Sequence, residues 1–297
     1  MIAALGGHGV RIELLDFADY PIRLTLTLAF EAESRRFQLK RPGEGEVDLE
    51  AVRTAWWRRP SAFGLPESVR DPVHRRLAIS ESVTAFHGLF SAMKARWINP
   101  PAHDAVASHK PYQLALAQSL GIEIPQTMMT SDPKEARAFW SACDGDVIYK
   151  QFIFLPDAWT ETRRLGEAET KIADEAIQLA PVIFQRHVAA VADLRVTIIG
   201  DEIFAAAVDT RTLAYDVDVR MNANAKYIAH DLPDDVSKKL LALMRRLGLV
   251  YGAIDLRLTE DGRYVFLEIN PAGEFLYVEE QTGQPITAAL AACLAAA

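Results

Sequence analysis

One segment near the C-terminus restricts the fold most strongly, because its pattern predicts a β-hairpin. Residues 251–277 have the sequence YGAIDLRLTEDGRYVFLEINPAGEFLY, in which two alternating apolar runs flank Asp261-Gly262. An Asp-Gly pair supplies the positive φ angles of a two-residue turn, which would place Glu260 opposite Arg263. This register directs apolar side chains of both strands to the core-facing side: Ile254, Leu256 and Leu258 opposite Ile269, Leu267 and Val265.

The other face of the predicted hairpin carries three oxygen donors. Asp255 lies directly across from Glu268, and Asn270, two residues further on, returns to the same side. Two like charges at opposed positions, with Cβ atoms roughly 5 Å apart, repel each other, and a bound cation would remove that penalty. Hard oxygen donors of this kind suit Mg²⁺ held jointly with phosphates. The alternative is a solvated hairpin face on which two acids are merely scattered.

Composition and charge exclude several functional classes. The chain has 297 residues, half of them hydrophobic, and a net charge of −8, so a nucleic-acid partner is not expected. Cys143 and Cys293 are its only cysteines, too few for a disulfide framework or a zinc site, and both are expected to be reduced in the cytoplasm. The apolar end at 286–297 is shorter than the ~20 residues of a membrane span, so no membrane partner is expected. The oligomeric state stays open between a monomer and a homodimer.

Hydrophobic periodicity along the chain predicts mixed helices and antiparallel hairpins with few βαβ units, which is an α+β architecture. The strongest break is Asn99-Pro100-Pro101, where we place the main domain boundary. Two lysines follow at the edges of predicted elements, Lys110 in the first turn of a helix and Lys150 at the end of the strand 147–149. Taken singly, each would be a solvated surface lysine.

The order of the later features gives these lysines more weight. A Phe-Gln-X-X-Val strand at 184–188 follows them, then an Asp-X-Arg hairpin at 193–195, and then the three oxygen donors. This order resembles the ATP-grasp superfamily, and most closely its branch of ribosomal-protein glutamate ligases and microviridin (graspetide) synthetases, which modify ribosomally made peptides. The segments WWRRP, INPPAHDAVASHKPYQL and LEINPAGEF are similar to the pre-ATP-grasp strand end, the start of the ATP-binding part and the metal signature of that branch.

The resemblance covers nearly the whole chain and implies its architecture. We expect an ATP-grasp fold, in which two α+β subdomains close on ATP, preceded by a small α/β pre-ATP-grasp domain. The domains are expected at residues 1–98, 99–190 and 191–297. The implied cofactors are ATP and Mg²⁺.

The resemblance also implies roles for individual residues. Lys110 and Lys150 would contact the phosphates or the adenine edge of ATP. A hinge strand would read adenine through its backbone N–H and C=O groups and comprises Gln185, Arg186, His187 and Val188. Magnesium would be held by Asp255, Glu268 and Asn270. Arg195 would face the phosphates beside Asp193, the alternative being a surface ion pair between these two, worth at most ~1 kcal/mol.

A further Asp-X-Arg element stands at Asp218 and Arg220, in the sequence DVDVR. In the family such an element lies near the acceptor, and the alternative is a solvated loop. Arg220 is the third expected catalytic residue beside Lys150 and Arg195: those two would offset charge on the transferred phosphoryl group, and Arg220 would clamp a carboxylate of the acceptor.

The chain also departs from the family pattern at three places. Arg186 stands where a hinge glutamate is common, which removes the usual contact to the ribose hydroxyls. The segment 151–169 is not glycine-rich and does not indicate a flexible phosphate lid. The chain starts at what resembles the first helix, so either the true start lies upstream of Met1 or the first strand of the pre-ATP-grasp domain has been lost.

The resulting prediction is a cytoplasmic ATP- and Mg²⁺-dependent carboxylate ligase. A substrate carboxylate would attack the γ-phosphate of ATP, and an amine or hydroxyl would capture the acyl phosphate. The first expected acceptor is a peptide or protein side chain joined through an ester or amide bond. Two alternatives remain: a ligase that adds a free amino acid to a peptide or small-molecule carboxylate, and a non-catalytic nucleotide-binding partner subunit. Retention of three metal ligands argues against the second.

Overall fold

The computed structural model describes residues 1–43, 45–153, 161–167, 174–222 and 224–296. Its strands are β1 (Thr25–Phe30), β2 (Arg35–Arg41), β3 (Gly45–Asp48), β4 (Thr54–Trp56), β5 (Arg96–Ile98), β6 (Thr127–Thr130), β7 (Val147–Lys150), β8 (Arg163–Arg164), β9 (Val182–Arg186), β10 (Ala192–Ile199), β11 (Glu202–Asp209), β12 (Ile228–Ala229), β13 (Tyr251–Leu258) and β14 (Tyr264–Asn270). Its helices are α1 (Ile2–Gly6), α2 (Pro72–Ala92), α3 (Pro101–Ala107), α4 (Lys110–Ser119), α5 (Pro133–Ala142), α6 (Asp174–Leu179), α7 (Asp234–Leu247), α8 (Leu276–Thr282) and α9 (Ile286–Ala295).

These elements form two compact units. The first comprises Met1–Asp104, Gly248–Val250 and Thr287–Ala297, and the second comprises Ala105–Leu247 and Tyr251–Ile286. The predicted division at residues 98 and 190 stays a prediction. Among the residues described, no helix is long and apolar enough to cross a membrane.

The first unit is built around a cluster of aromatic side chains. It holds an antiparallel sheet of order β1-β2-β3 and a parallel pair, β4 and β5. Helix α2 begins after Asp71, whose carboxylate accepts hydrogen bonds from the first-turn N–H groups. The helix buries Phe86 and Phe90 against Phe17, whereas Leu77, predicted to lie on its apolar side, is 58% exposed.

The second unit contains a four-stranded antiparallel sheet, the central sheet, of order β6-β9-β7-β8. One face of this sheet packs on α5 and α6 through a core that includes Phe184, Val147 and Ile177. Because side chains alternate along a strand, the neighbours of Phe184 on β9, Ile183 and Gln185, point to the opposite face. That face also carries Lys150, which pairs directly with Ile183.

A five-stranded antiparallel sheet completes the second unit, with the order β12-β11-β10-β13-β14. Strands β10 and β11 are joined by a two-residue turn at Gly200-Asp201, as the sequence predicted. Helix α7 buries one apolar stripe. Its first turn carries acidic residues and its last turn carries Arg245 and Arg246, a distribution of charge that the helix dipole favours. The stripe consists of Leu240, Leu243, Met244 and Leu247.

The hairpin of β13 and β14 has the predicted register at the site and a different register at its turn. Asp255 lies opposite Glu268, as predicted. The turn is wrong in the prediction, because Thr259 faces Arg263 across a three-residue loop that ends with Gly262 at φ +82°. A bulge next to Asp255 absorbs the extra residue.

The bulge also corrects the predicted cross-strand pairs on the core side. Leu256 pairs with Phe266, not with Leu267, and Leu258 pairs with Tyr264, not with Val265. Leu267 is the unpaired extra residue of β14. The predicted loop is one residue too short, and the prediction also lacks the one-residue bulge. These two errors cancel, so the predicted register is correct where Asp255 faces Glu268.

Candidate active site

The tripeptide Asp-Leu-Arg occurs twice, at 193–195 on β10 and at 255–257 on β13. These strands are antiparallel neighbours, so each aspartate faces the arginine of the other tripeptide. Arg195 bonds Asp255, and Arg257 bonds Asp193. The alternative of an ion pair between Arg195 and Asp193 along one strand is therefore wrong.

Arg195 holds the carboxylate of Asp255 through one nitrogen, with Nη1 2.8 Å from Oδ1 and 3.0 Å from Oδ2. Its Nη2 donates to the carbonyl of Glu274 at 3.2 Å, and a Cβ on Gly273 would lie 2.6 Å from that nitrogen, so only glycine fits there. Within the described part of the chain, Arg195 Nε is buried and has no hydrogen-bond partner. Arg195 thus keeps one donor for a further acceptor.

Glu268 is paired with Lys110, which makes it the second balanced carboxylate of the site. Burial acts to raise the pKa of Glu268, but the charges of Lys110 and Lys150 outweigh it and hold the pKa at about 2. Burial and the neighbouring charge of Glu268 raise the pKa of Asp255 despite Arg195. The repulsion predicted between the opposed carboxylates is therefore already offset by two basic side chains.

Gln113 fixes the helix that carries Lys110. Its amide nitrogen donates to the carbonyl of Ile269 at 2.8 Å, and its amide oxygen accepts from Ile269 N at 3.1 Å, so α4 is bonded to β14 beside Glu268. The same nitrogen donates to the carbonyl of Ala107 at 2.6 Å. Gln113 was not predicted from the sequence, although its position three residues after Lys110, in the segment SHKPYQL, places both on one helix face.

Lys150 adds a third basic group. Burial is the main reason that the pKa of its ammonium falls to about 8, with Lys110 and Arg220 lowering it further and Glu268 opposing them. Lys150 therefore lies close enough to these groups for their charges to change its pKa, and at neutral pH it is still mostly protonated. Such a cation, poorly satisfied inside the protein, favours a polyanionic ligand.

The predicted metal ligands fit a hard divalent cation by their chemistry. Asp255 and Glu268 face each other, and Asn270 stands on the same strand as Glu268, with Oδ1 accepting from Ala272 N at 3.0 Å. Across the described ranges, no three His, Cys, Asp or Glu side chains form a group that could hold a metal alone. Two carboxylates and an amide suit Mg²⁺ that takes its remaining ligands from phosphate and water.

The residues predicted as a hinge are held by Arg257, which was not predicted. Its five N–H donors meet five acceptors: Nε and Nη2 reach Asp193 at 2.8 and 3.4 Å, Nη1 reaches His187 Nε2 at 3.1 Å and Val188 O at 2.7 Å, and Nη2 also reaches Asp216 O. The signal available in the sequence was the repeated Asp-Leu-Arg. Burial raises the pKa of Asp193, and Arg257 opposes that rise.

His187 is a buried neutral imidazole in this network. Burial, with the charges of Arg164 and Arg257, lowers its pKa. Because Arg257 can only donate, Nε2 accepts and the ring proton is assigned to Nδ1, which lies 3.6 Å from Asp146 Oδ1. Arg186 is exposed, with Nη1 3.5 Å from Gln126 Oε1.

Asp218 and Arg220 form an ion pair within the second unit. The carboxylate of Asp218 is 5% exposed and the guanidinium side chain 57%, so the pair is not the solvated loop of the alternative. Asp218 also accepts from Thr162 N at 3.2 Å. The segment 151–169, which is not glycine-rich and does not predict a flexible phosphate lid, lies partly outside the described residues, at 154–160 and 168–169.

Solved structures are similar to the chain over its full length. Macrocyclase MdnC from Microcystis aeruginosa MRC, solved with precursor peptide MdnA, has 27% identity and a TM-score of 0.89, covering 100% of this chain and 94% of MdnC. Macrocyclase MdnB from the same organism has 29% identity and a TM-score of 0.81, covering 99% and 94%. ATP-grasp ligase PsnB, solved with a phosphomimetic variant of its minimal precursor, Mg and ADP, shares the fold at 23% identity and a TM-score of 0.78, covering 98% and 91%.

Residues 1–105 match the family model of the MvdD pre-ATP grasp domain. No curated protein sequence matches the chain significantly. The pre-ATP-grasp domain and the two sheets that follow it along the chain have the fold of the ATP-grasp ligases. The matched domain model and the similar structures are those of RiPP ATP-grasp ligases of the microviridin type, which agrees with the predicted resemblance, and the predicted fold class is confirmed.

Proposed function

We propose that this chain is an ATP- and Mg²⁺-dependent ligase that joins a side-chain carboxylate of a ribosomally made peptide to an amine or hydroxyl. The observation that carries the proposal is the convergence of Lys110, Lys150 and Arg195 on the opposed carboxylates Asp255 and Glu268. Three cations beside two hard oxygen ligands match the needs of a nucleoside triphosphate with its metal. No covalent nucleophile is required.

The balanced chemistry has two steps. An oxygen of the substrate carboxylate attacks the γ-phosphorus, and the bond from that phosphorus to the oxygen of ADP breaks, which gives an acyl phosphate. An amine or hydroxyl then attacks the acyl carbon, inorganic phosphate leaves, and the attacking group loses a proton. Bound Mg²⁺, on Asp255, Glu268 and Asn270, would supply Lewis-acid stabilisation of phosphate charge.

The chain's own side chains perform the positioning. Lys110 and Lys150 carry positive charge next to Glu268, so they hold phosphate oxygens that approach the metal ligands. Arg195 is fixed by Asp255 and Glu274 O, and its Nε has no acceptor in the part of the chain that the structure describes. A donor that is oriented before substrate arrives stabilises developing charge without reorganisation. The predicted roles of Lys110, Lys150 and Arg195 fit this arrangement and stay proposals.

A peptide is the proposed substrate because the similar enzymes take one. MdnC was solved with a precursor peptide, and PsnB with a minimal precursor together with Mg and ADP. Both cover nearly all of this chain. The ligase that uses a free amino acid is the alternative that the following experiment separates.

The test is ADP release from Mg²⁺-ATP with and without a precursor peptide encoded beside the gene. A peptide ligase releases ADP only with the peptide, whose mass falls by one water for each bond formed. The variants Lys150→Met and Asp255→Asn should show little release, and Glu260→Gln, in the exposed hairpin turn, should match the parent. ADP release that requires a free amino acid and leaves the peptide mass unchanged would overturn the choice of substrate. Absence of peptide-dependent release and of nucleotide binding would overturn the ligase.

A further inference from the structure

Residues 215–222 form a closed arm that carries Arg220. Asn222 closes this arm, because its amide oxygen accepts from Tyr215 N at 3.2 Å and its amide nitrogen donates to Tyr215 O at 2.8 Å. Within the arm, the carboxylate of Asp218 accepts from Arg220 Nε at 2.8 Å and from Arg220 Nη2 at 2.5 Å. The position of the guanidinium therefore follows the position of the arm.

Hydrogen bonds tie this arm to strand β8. The hydroxyl of Tyr215 donates to the carbonyl of Thr162, the residue before β8, at 2.8 Å, and Thr162 N donates to Asp218 Oδ2 at 3.2 Å. Two residues further on, Arg164 Nη2 donates to Asp216 Oδ2 at 3.3 Å. Since β8 is the edge strand of the central sheet, these bonds hold the arm against that edge.

The register of β7 and β8 places this anchor beside Lys150. Tyr149 on β7 pairs with Arg163 on β8, and the two strands are antiparallel. Continued by one residue, the same register sets Thr162 opposite Lys150. The arm is thus tied to the strand end that carries Lys150.

The charge of Arg220 acts on the groups of the candidate active site. The pKa of Arg220 is raised, first by its hydrogen bond to Asp218 and, among the further causes, by the charges of Glu268 and Asp255. Burial is the first cause of the lowered pKa of Lys150, and the charge of Arg220 lowers it further. Two cations held this close repel each other, and a bound triphosphate would offset that repulsion.

We infer that Tyr215 positions Arg220 for the peptide before the nucleotide binds, by tying the arm to β8 through its hydroxyl. The inference rests on the proposed function, which supplies both the peptide and the nucleotide. Without this hydrogen bond, the repulsion between Arg220 and Lys150 would displace the arm part of the time, and the peptide would bind more weakly. A triphosphate offsets the repulsion, favours the arm in its place and so restores the lost affinity.

The experiment titrates the complete chain with the segment of the precursor peptide that the ligase modifies. One titration is made without nucleotide and one with saturating Mg²⁺ and the non-hydrolysable analogue β,γ-imido-ATP. Tyr215→Phe removes only the hydroxyl, and without nucleotide it should bind the peptide about three- to tenfold more weakly than the parent, the size of one hydrogen bond. With the analogue bound, most of this loss should disappear. A merely structural role would give the same loss in both titrations.

Two further variants test whether Tyr215 acts through Arg220. In an Arg220→Ala background, Tyr215→Phe should have no additional effect on peptide affinity, because residues that act as one unit are not additive. Asn222→Ala opens the arm and should reproduce the nucleotide-dependent loss. Tyr112→Phe, the same change at an exposed position of α4, should match the parent in both titrations.

The outcomes separate this inference from the proposed function. The inference is overturned, and the ligase left standing, by an unchanged peptide affinity of Tyr215→Phe, by an equal loss with and without the analogue, or by a full loss in the Arg220→Ala background. A parent that shows no peptide-dependent ADP release overturns both. Melting temperatures report whether Tyr215→Phe folds, and if it does not, the two titrations of Asn222→Ala decide by the same criteria.

Discussion

The two Asp-Leu-Arg tripeptides form ion pairs of the same composition in different surroundings. The pair of Arg257 and Asp193 is 5% and 14% exposed, and every N–H of the arginine has an acceptor. The pair of Arg195 and Asp255 is 12% and 32% exposed, and Arg195 Nε is left without a partner among the described residues. The first pair is complete, whereas the second retains bonding capacity.

This difference separates a pair whose hydrogen-bond donors are all used from a pair with a donor still available to a ligand. A fully bonded buried arginine gains nothing from a ligand, and its removal leaves an uncompensated carboxylate. A partly bonded arginine beside two facing carboxylates can accept another anion without losing its present contacts. Unused hydrogen-bonding capacity, more than burial or charge, therefore marks the site.

The largest effect is expected for stability when the complete pair is broken. Arg257→Met should lower the free energy of unfolding by about 3–5 kcal/mol, because Asp193 is left buried and unpaired. The melting temperature should fall by roughly 10 °C for a chain of this size. Arg195→Met is the matched control and should lower it less, since Asp255 is more exposed. Equal falls would erase the distinction between the pairs.

The next largest effect is expected on turnover when Glu268 is changed, the carboxylate that faces Asp255 of the Arg195–Asp255 pair. Glu268→Gln removes one of two facing charges and should reduce Mg²⁺-dependent ADP release about 10²- to 10³-fold, as for other preorganised electrostatic groups. Glu260→Gln, in the exposed turn of the same hairpin, is the control. The upward shift of melting temperature caused by Mg²⁺-ATP should also shrink in Glu268→Gln. An undiminished shift with retained turnover would remove Glu268 from the metal site.

Nucleotide affinity should respond to Lys150 by roughly ten- to a hundredfold. Lys150→Met keeps the aliphatic stem and loses one charged hydrogen bond, which costs about 1.5–3 kcal/mol. Because the pKa of Lys150 is about 8 without ligand, it is charged below that pH and neutral above it. ATP affinity of the parent should thus fall about tenfold per pH unit above 8, and titrations at several pH values should show no such fall in Lys150→Met. A pH-independent parent would place Lys150 away from the phosphates.

The smallest effect on nucleotide affinity is expected at the third Asp–Arg pair. The guanidinium of Arg220 is bonded to Asp218 and its side chain is 57% exposed, so Arg220→Ala should change ATP binding by less than ~1 kcal/mol. The apparent KM for the peptide should rise instead, because a free arginine edge can clamp a carboxylate. Calorimetry with ATP and steady-state kinetics with peptide measure the two quantities. A large loss of ATP affinity would move Arg220 to the phosphates.

The sequence was sufficient where a local pattern determines the outcome and insufficient where a distant partner does. The opposition of Asp255 and Glu268 follows from burial of one hairpin face, so it could be predicted even with the wrong turn. The pairing of Lys110 with Glu268 joins residues 158 positions apart, and only the fold brings them together. Arg257 and Gln113 were missed for the same reason, since their acceptors lie on other elements.

Because of the bulge next to Asp255, the length of the hairpin's loop does not determine the position of the facing carboxylates, Asp255 and Glu268. Beyond the bulge, the register is held by burial of Ile254 and Ile269 and by the two hydrogen bonds of Gln113 to Ile269. The loop at residues 260–262 lies on the far side of this anchor. Insertions there should leave Glu268 in place, which makes this loop a suitable position for attaching a fluorophore or an affinity tag to the working enzyme.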